Sequence, residues 1–325
     1  MSAPTDRDKF LIELYRLYPA APPDKFYDAA LGLLKETVPF DSALWGTFAL
    51  TPEGPVLHQG HVHRIEPRML EEYERIKHLD LLNQQVVAKP GRTVNMSLAR
   101  AAKRAHPAAL AHARRWGMEH TLATVVEEAE LNLFTLVSLY RSDARSPYGE
   151  RERRFTQAIV PHLVAAWHMN AIHLLDSVAA APRPHSRARA LIDRHGVIHN
   201  AESALPALLR AEIPSWRGPV VPGPLLELTD GRSTRWQGKA IVASLLRTLD
   251  LGMFLVCVRS RSAVDSLAPR EREVAREVAA GRSHSEIASA FGTSPATVRS
   301  QVRSIYQKLG VATRVELLRQ IDEAS

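Results

Sequence analysis

"TSPATVRSQVRSIYQKLG", Thr293 to Gly310, reads as one helix. Ser294 stands at the N-cap, Pro295 in the first helical position, and Gly310 just past the end. At about 100° per residue, Val298, Val302, Ile305 and Leu309 fall within roughly 60° of one another and form a stripe to be buried. The opposite face carries Arg299, Ser300, Arg303, Ser304 and Gln307, and no acid occurs from Ser294 to Leu309. A solvated helix usually mixes signs, with acids set for i,i+4 pairs.

Working outward, three more helices surround it. Pro269 to Ala280 has Pro at its first turn, Val274 and Val278 four apart, and Gly281 as its stop. Ser283 and Glu286 have capping-box spacing for a helix ending at Phe291. Gly292-Thr293 makes a tight turn. Thr313 and Glu316 repeat the box for a short helix with Leu317, Leu318 and Ile321. The predicted result is a compact all-α unit. Its exposed helix face suits a DNA major groove: arginine bridges guanine O6 and N7, and small neighbours permit close approach. The helix N-terminus with Ser294 and Thr297 suits phosphates, and Lys308 lies to one side where a phosphate could run. The alternative is a basic surface helix of an ordinary helical domain.

"LAPREREVAREVAAGRSHSEIASAFGTSPATVRSQVRSIYQKLGV" resembles the LuxR-type (GerE-like) helix-turn-helix, with "PREREV", "AAG", "EIA" and "TVRSQVRSIYQKLGV" in family order and spacing. The resemblance covers residues 267–320. It implies that Arg299, Ser300 and Arg303 face bases, and that Thr297 and Lys308 reach phosphates. It also implies that Leu317, Leu318 and Ile321 belong to a dimerisation helix. Two positions depart from the family. Ala268 replaces the hydroxyl cap of the first helix, and Gln301 stands where histidine is frequent.

The chain has 325 residues, enough for two or three domains, and a net charge of +7. The excess is uneven. Residues 1–182 are balanced, whereas residues 183–264 hold 12 Lys/Arg against 6 Asp/Glu, and residues 265–325 hold 9 against 8. Bulk charge therefore does not mark the C-terminus as a nucleic-acid binder; the placement of its arginines does. The "RPHSRARA" segment is expected to add non-specific DNA affinity. Cys257 is the single cysteine, which excludes an intrachain disulfide and fits a reducing compartment. "MSAPTDRDKF" lacks the apolar core expected of a signal peptide, and the longest run without a charged residue, 155–175, is too polar to be expected to span a membrane. A cytoplasmic protein with no membrane partner is expected.

The first 260 residues alternate helical and strand patterns. "DKFLIELYRLY" and "DKFYDAALGLLKETV" are helical. "SALWGTFAL" and "VLHQGHVHRI" are strands around a Pro-Glu-Gly-Pro turn, and "PRMLEEYERIKHLDLLNQQVVA" reads as one helix. A further helix ends at Gly117. Two strands follow, then a long helix from about Gly149 to Leu175 that Pro161 should kink or open. No internal repeat is evident. The pattern predicts a multidomain α+β chain with mainly antiparallel sheets. Residues 1–177 resemble a GAF-type domain, 178–188 form a linker, 189–262 resemble a PAS-type domain, and 263–325 are the helix-turn-helix unit. Ile159, Leu163, Ala166, Trp167 and Leu174 of the long helix suit either packing between protomers or packing on the chain's own sheet.

No acidic pair follows a first strand, so a phosphoacceptor receiver is excluded. "EEYERIKHLDLL", with Tyr73 and Asp80, has the tyrosine-then-aspartate order of the family's acyl-homoserine-lactone domains, but Leu81 replaces the expected proline and that assignment is not made. Trp45, Phe48, Tyr73 and Trp116 are the candidate lining of a small-molecule pocket, with core filling as the alternative. His61 and His63 face one side of a strand. Histidine pairs bind metal in cupin-type enzymes, but Glu66 has the wrong offset and no third ligand is evident, so no metal and no cofactor is assigned. No nucleophile elbow, P-loop or dinucleotide fingerprint is present, and Cys257 sits in an apolar strand.

The expected function is a non-enzymatic, sequence-specific transcription regulator, with activation favoured. It would bind double-stranded DNA with two-fold half-sites as a homodimer and respond to a small-molecule or partner signal at its front domains, with RNA polymerase as a further candidate partner. The alternatives are a constitutive dimer whose front domains only assemble it, and a metal-binding enzyme or sensor fused to DNA binding.

Overall fold

The computed structural model describes residues 5–51, 54–178, 187–249 and 253–324. Helices α1 (Asp6–Ala20) and α2 (Pro23–Thr37) precede the strands β1 (Ser42–Thr51) and β2 (Gly54–His63). Helix α3 (Arg68–Glu74), a 3-10 turn (Lys77–Leu79) and α4 (Leu81–Val87) follow, then β3 (Val94–Ser97), α5 (Leu98–Ala101), α6 (Pro107–Arg115), β4 (His120–Glu128), β5 (Leu133–Arg141) and α7 (Glu150–Val178). The strands form one antiparallel sheet in the order β2-β1-β5-β4-β3.

Strand alternation divides this sheet into two working faces. Trp45, Leu122, Val137 and Leu139 point to α1, α2 and α7, where Phe26, Leu31, Leu34, Ile159 and Leu163 complete a fully buried core. Leu44, Ala123 and Leu136 point the other way, under α3 to α6. Ile159, Leu163, Ala166 and Trp167 are thus spent on the chain's own sheet. Helix α7 continues through Pro161, so the proline does not open it as one reading expected. Asn170 ties it to α1 by donating to the carbonyls of Tyr18 (2.6 Å) and Ala21 (2.7 Å).

The helix expected over 67–88 is broken. The Asp80 carboxylate accepts the Leu82 N–H at 2.8 Å and caps α4, which forces a turn where apolar periodicity alone predicted continuation.

A second antiparallel sheet contains β6 (Arg187–Asp193), β7 (Ile198–Ala201), β8 (Arg235–Gln237), β9 (Ile241–Leu249) and β10 (Met253–Ser260), with α8 (Leu205–Glu212) packed on it. Its order is β7-β6-β10-β9-β8. Counted from the first strand of each sheet, both orders read 2-1-5-4-3, an internal likeness of topology that the sequence did not disclose. The units meet at the β4–β5 turn, whose Leu131 and Leu133 join the second core. Gly218 has φ 56° and lies against the Leu131 carbonyl so closely that a Cβ would collide with it. Arg210 donates to Glu130 at 2.7 Å, and His199 Nδ1 lies 3.1 Å from Gln59 Oε1 across the same seam.

Most of the expected linker, residues 179–186, lies outside the described residues. Arg189 does not serve the non-specific DNA contact expected of "RPHSRARA". It is buried and donates to Glu202 at 2.8 Å, because a guanidinium in a sheet interior needs an adjacent carboxylate.

The C-terminal unit is all helical: α9 (Pro269–Ala279), α10 (His284–Phe291), α11 (Pro295–Leu309) and α12 (Arg314–Ala324). Val274, Val278, Ile287, Val298, Ile305, Leu309 and Leu317 form its core. Ala268 has no side-chain oxygen, so only half a capping box forms at α9, where the Ala268 N–H donates to Glu271 at 3.1 Å. At α12 the Thr313 hydroxyl accepts from the Glu316 N–H, and Glu316 reaches back to the Ala312 N–H. Among the described residues, no helix is long and apolar enough to cross a membrane.

Candidate nucleic-acid interface and ligand cavity

Helix α11 buries the stripe read from its periodicity. Val298, Ile305 and Leu309 are buried and Val302 is half-buried. That fixes the opposite face outward: Arg299, Ser300, Arg303 and Gln307 are all exposed. Among the described residues neither Arg299 nor Arg303 has an ion pair. With His284, Val302 and Tyr306 they line a shallow concavity. His284 and Tyr306 were not foreseen. Tyr306 sits one turn beyond Arg303, and His284 enters from the start of α10.

At the front of α11 the Ser294 hydroxyl accepts the Thr297 N–H at 3.1 Å, and the two hydroxyls lie 2.9 Å apart. Gly292, with φ 63°, makes the left-handed turn that sets α10 against α11. Lys308 departs from expectation. Its ammonium donates to both Glu271 oxygens, at 2.6 and 2.9 Å, so it is held against α9. That pair, together with the Ala268 N–H, holds the Glu271 carboxyl below the usual carboxylate range.

The residues expected to form a dimerisation helix are divided by burial. Leu317 and Ile321 are consumed by the unit's own core, because they are four apart on the inner face of α12. Leu318 is exposed, and beside it Val315 is the most exposed large apolar residue described, at 76%.

In the first unit, a cavity of about 120 Å³ lies between the sheet and α3 to α6. Its wall is mostly apolar, with Leu44, Met69, Ile76, Leu110 and Leu136 among the lining residues, and its polar lining includes Tyr73, Asp80 and His112 beside Asn83, Thr121, Ser138 and Tyr140. The Tyr73 hydroxyl donates to Asp80 at 2.7 Å. Burial, with Asp80 beside it, pushes the Tyr73 phenol well above its usual range. Desolvation lowers the His112 imidazole, and its Nε2 is buried without a hydrogen-bond partner.

Of the four expected pocket residues, only Tyr73 lines this cavity. Trp45 points to the opposite face and packs on Phe26 and Tyr27, since odd-numbered positions of β1 face α2 and α7. Phe48 stacks on Phe134 at 5.4 Å in a neighbouring core. Trp116 donates to Glu72 at 3.1 Å outside the lining. Aromatic content did not mark this cavity, because most of its wall is aliphatic. Cys257 is buried in β10, and burial pushes its thiol up.

His61 and His63 do face one side of β2. Asp28 of α2 joins them: its Oδ1 lies 3.0 Å from His61 Nε2 and 2.7 Å from His63 Nδ1.

Residues 265–321 match the family model described as bacterial regulatory proteins, luxR family. Over 60 residues the chain is 45% identical to a Mycobacterium bovis protein provisionally named an HTH-type transcriptional regulator; the match covers 18% of this chain and only 6% of that relative's length. Among solved structures the chain is similar to Escherichia coli SdiA, at 13% identity and a TM-score of 0.40, over 98% of this chain and 95% of that one. It is also similar to a phycoerythrobilin-bound GAF domain from a cyanobacterial phytochrome, at 12% identity and a TM-score of 0.38, over 53% of this chain and all of that one. The helical unit that ends this chain is a LuxR-type helix-turn-helix domain.

Proposed function

We propose that the protein is a sequence-specific DNA-binding transcription regulator whose front domains sense a small molecule. The observation that carries this reading is the outer face of α11. Two arginines one turn apart, without an ion pair among the described residues, stand with Ser300 and Gln307 on a face free of acids in a LuxR-type domain. Arg299, Ser300 and Arg303 read base edges, and Ser294 and Thr297 sit where a phosphate meets the helix N-terminus. Lys308 joins them when it leaves Glu271.

The division we propose is a GAF-like sensor over 1–177, a linker over 178–188, a PAS-like unit over 189–262 and the DNA-binding unit over 263–325. The protein binds two-fold half-sites as a homodimer in the cytoplasm, through Leu318 and Val315 rather than the buried Leu317 and Ile321. It activates transcription through contact with RNA polymerase and has no catalytic activity.

The cavity beneath α3 to α6 is the ligand site in this reading. Its mostly apolar wall, with Tyr73, Asp80 and His112 among its polar groups, fits a small amphipathic molecule whose polar group meets those three. A volume of about 120 Å³ takes a body near benzene in size, and anything longer requires those helices to move. Ligand binding then shifts the population of placements of the DNA-binding units.

The test is selection of a random duplex library with the full-length protein at one stated salt concentration. A recovered two-fold motif supports the reading. Retention of DNA without any sequence enrichment, both by the full chain and by residues 263–325, overturns it.

A further inference from the structure

We propose that Asp28, His61 and His63 form a binding site for a divalent transition-metal ion of the zinc class. Two imidazoles and one carboxylate converge here on a single point, and the three ligand atoms lie within 4.8 Å of one another. The strand supplies the pair, because residues i and i+2 share a face of β2; the helix supplies the third member at the position after Tyr27.

The imidazoles are already oriented. Tyr27 stacks on His61 with ring centroids 5.0 Å apart and planes 14° from parallel, and Phe40 meets the edge of His63 at 5.9 Å. Both histidine side chains are largely covered, whereas Asp28 is 55% exposed. An ion therefore has an entry path through the carboxylate side, and a fourth position stays open to water. Bonds of about 2.0–2.2 Å to a tetrahedral ion place neighbouring ligand atoms roughly 3.3 Å apart. The hydrogen-bond distances of 3.0 and 2.7 Å are already near that separation, and the solvent-facing Asp28 carboxylate can make the adjustment.

The donor set selects the ion class. Two imidazole nitrogens with one carboxylate oxygen suit zinc and the later first-row ions, not the oxygen-seeking calcium or magnesium. The site lies on the face of the sheet opposite the apolar cavity, so it is a second binding function and does not depend on the regulatory reading.

The rival account is a hydrogen-bonded triad that only fastens α2 to β2. Three substitutions separate the two. His61→Gln places an amide nitrogen where Nε2 was, His63→Asn does the same for Nδ1, and Asp28→Asn removes the anionic ligand at an exposed position. Each preserves hydrogen-bonding capacity and deletes one metal ligand.

The experiment uses the untagged full-length protein, stripped with a chelator, with Zn²⁺ titrated against a chromogenic competitor. The expected result is one equivalent per chain, weakened at least about tenfold by each substitution, since even outer-shell changes at such sites cost about 10–100-fold. Circular dichroism of the metal-free variants should be unchanged. Co²⁺ bound to the unmodified chain should give visible bands of tetrahedral intensity, a readout that holds even if a variant misfolds. Absence of stoichiometric binding overturns the proposal. So does binding of equal strength in all three variants, which would place the ion on others of the chain's 14 histidines.

Discussion

Arg259, in the last strand of the second sheet, donates two hydrogen bonds of 2.7 Å to the two carboxylate oxygens of Asp265, at the head of the helical unit. Arg235 adds a third at 2.6 Å, and the Ser262 N–H a fourth at 2.8 Å. Asp265 is almost fully buried, so the joint between sheet and DNA-binding unit is a desolvated ionic clasp.

Burial alone would raise the Asp265 carboxyl, but the Arg259 and Ser262 hydrogen bonds outweigh it and hold it well below the usual carboxylate range. A depressed folded-state value means the stabilisation is complete above the unfolded value of about 3.9 and is lost as pH falls through the lower folded value. Asp265→Asn leaves Arg259 buried without a counter-charge and should cost about 3–5 kcal/mol. It should also flatten the pH dependence of unfolding below about pH 4. Urea denaturation across that range checks both.

Arg303→Ala should weaken binding to the selected site by about 1–3 kcal/mol and relax one base preference. Arg303 is exposed and has no ion pair among the described residues, so stability should change by less than about 0.5 kcal/mol. Affinity measured on single-base variants of the site gives the result, and unchanged discrimination would contradict the recognition role.

Glu271→Gln should free Lys308 while the amide oxygen keeps the cap on the Ala268 N–H. Affinity for non-specific duplex should rise, and the slope of log K against log salt should steepen by about 0.9 for the one added phosphate contact. A slope identical to that of the unmodified chain would remove Lys308 from the interface.

Leu317→Ala and Leu318→Ala should differ sharply despite being neighbours. Leu317 is fully buried, and its truncation should cost about 2–5 kcal/mol. Leu318 is exposed, so its truncation should leave unfolding within about 0.5 kcal/mol and instead weaken self-association in sedimentation equilibrium.

Tyr73→Phe deletes the hydrogen bond to Asp80 without altering the α4 cap, because Leu82 still donates to the other carboxylate oxygen. The cost should be about 0.5–1.5 kcal/mol in chemical denaturation, with ligand affinity changed if the cavity is the sensor site.

Helix α11 was legible in the chain because everything that specifies it is local. A serine cap, a 3.6-residue apolar stripe and a terminal glycine lie within one stretch, and the structure adds only that Val298, Ile305 and Leu309 are indeed the buried side. The α+β class was equally readable from strand and helix periods. The break at Asp80 was not, since one carboxylate overrode a continuous apolar pattern.

What the sequence by itself determined is therefore what depends on neighbours along the chain: the capped helices, the strand pattern, and the acid-free face that Arg299 and Arg303 share. Tertiary structure alone decided what depends on distant partners. It brought Asp28 to His61 and His63 across 33 and 35 residues, tied Lys308 to Glu271 across 37, and sent Trp45 into a core while Leu44, one residue away, faced a cavity. Periodicity states which residues share a face. Only packing against remote elements states whether that face meets core, cavity or solvent.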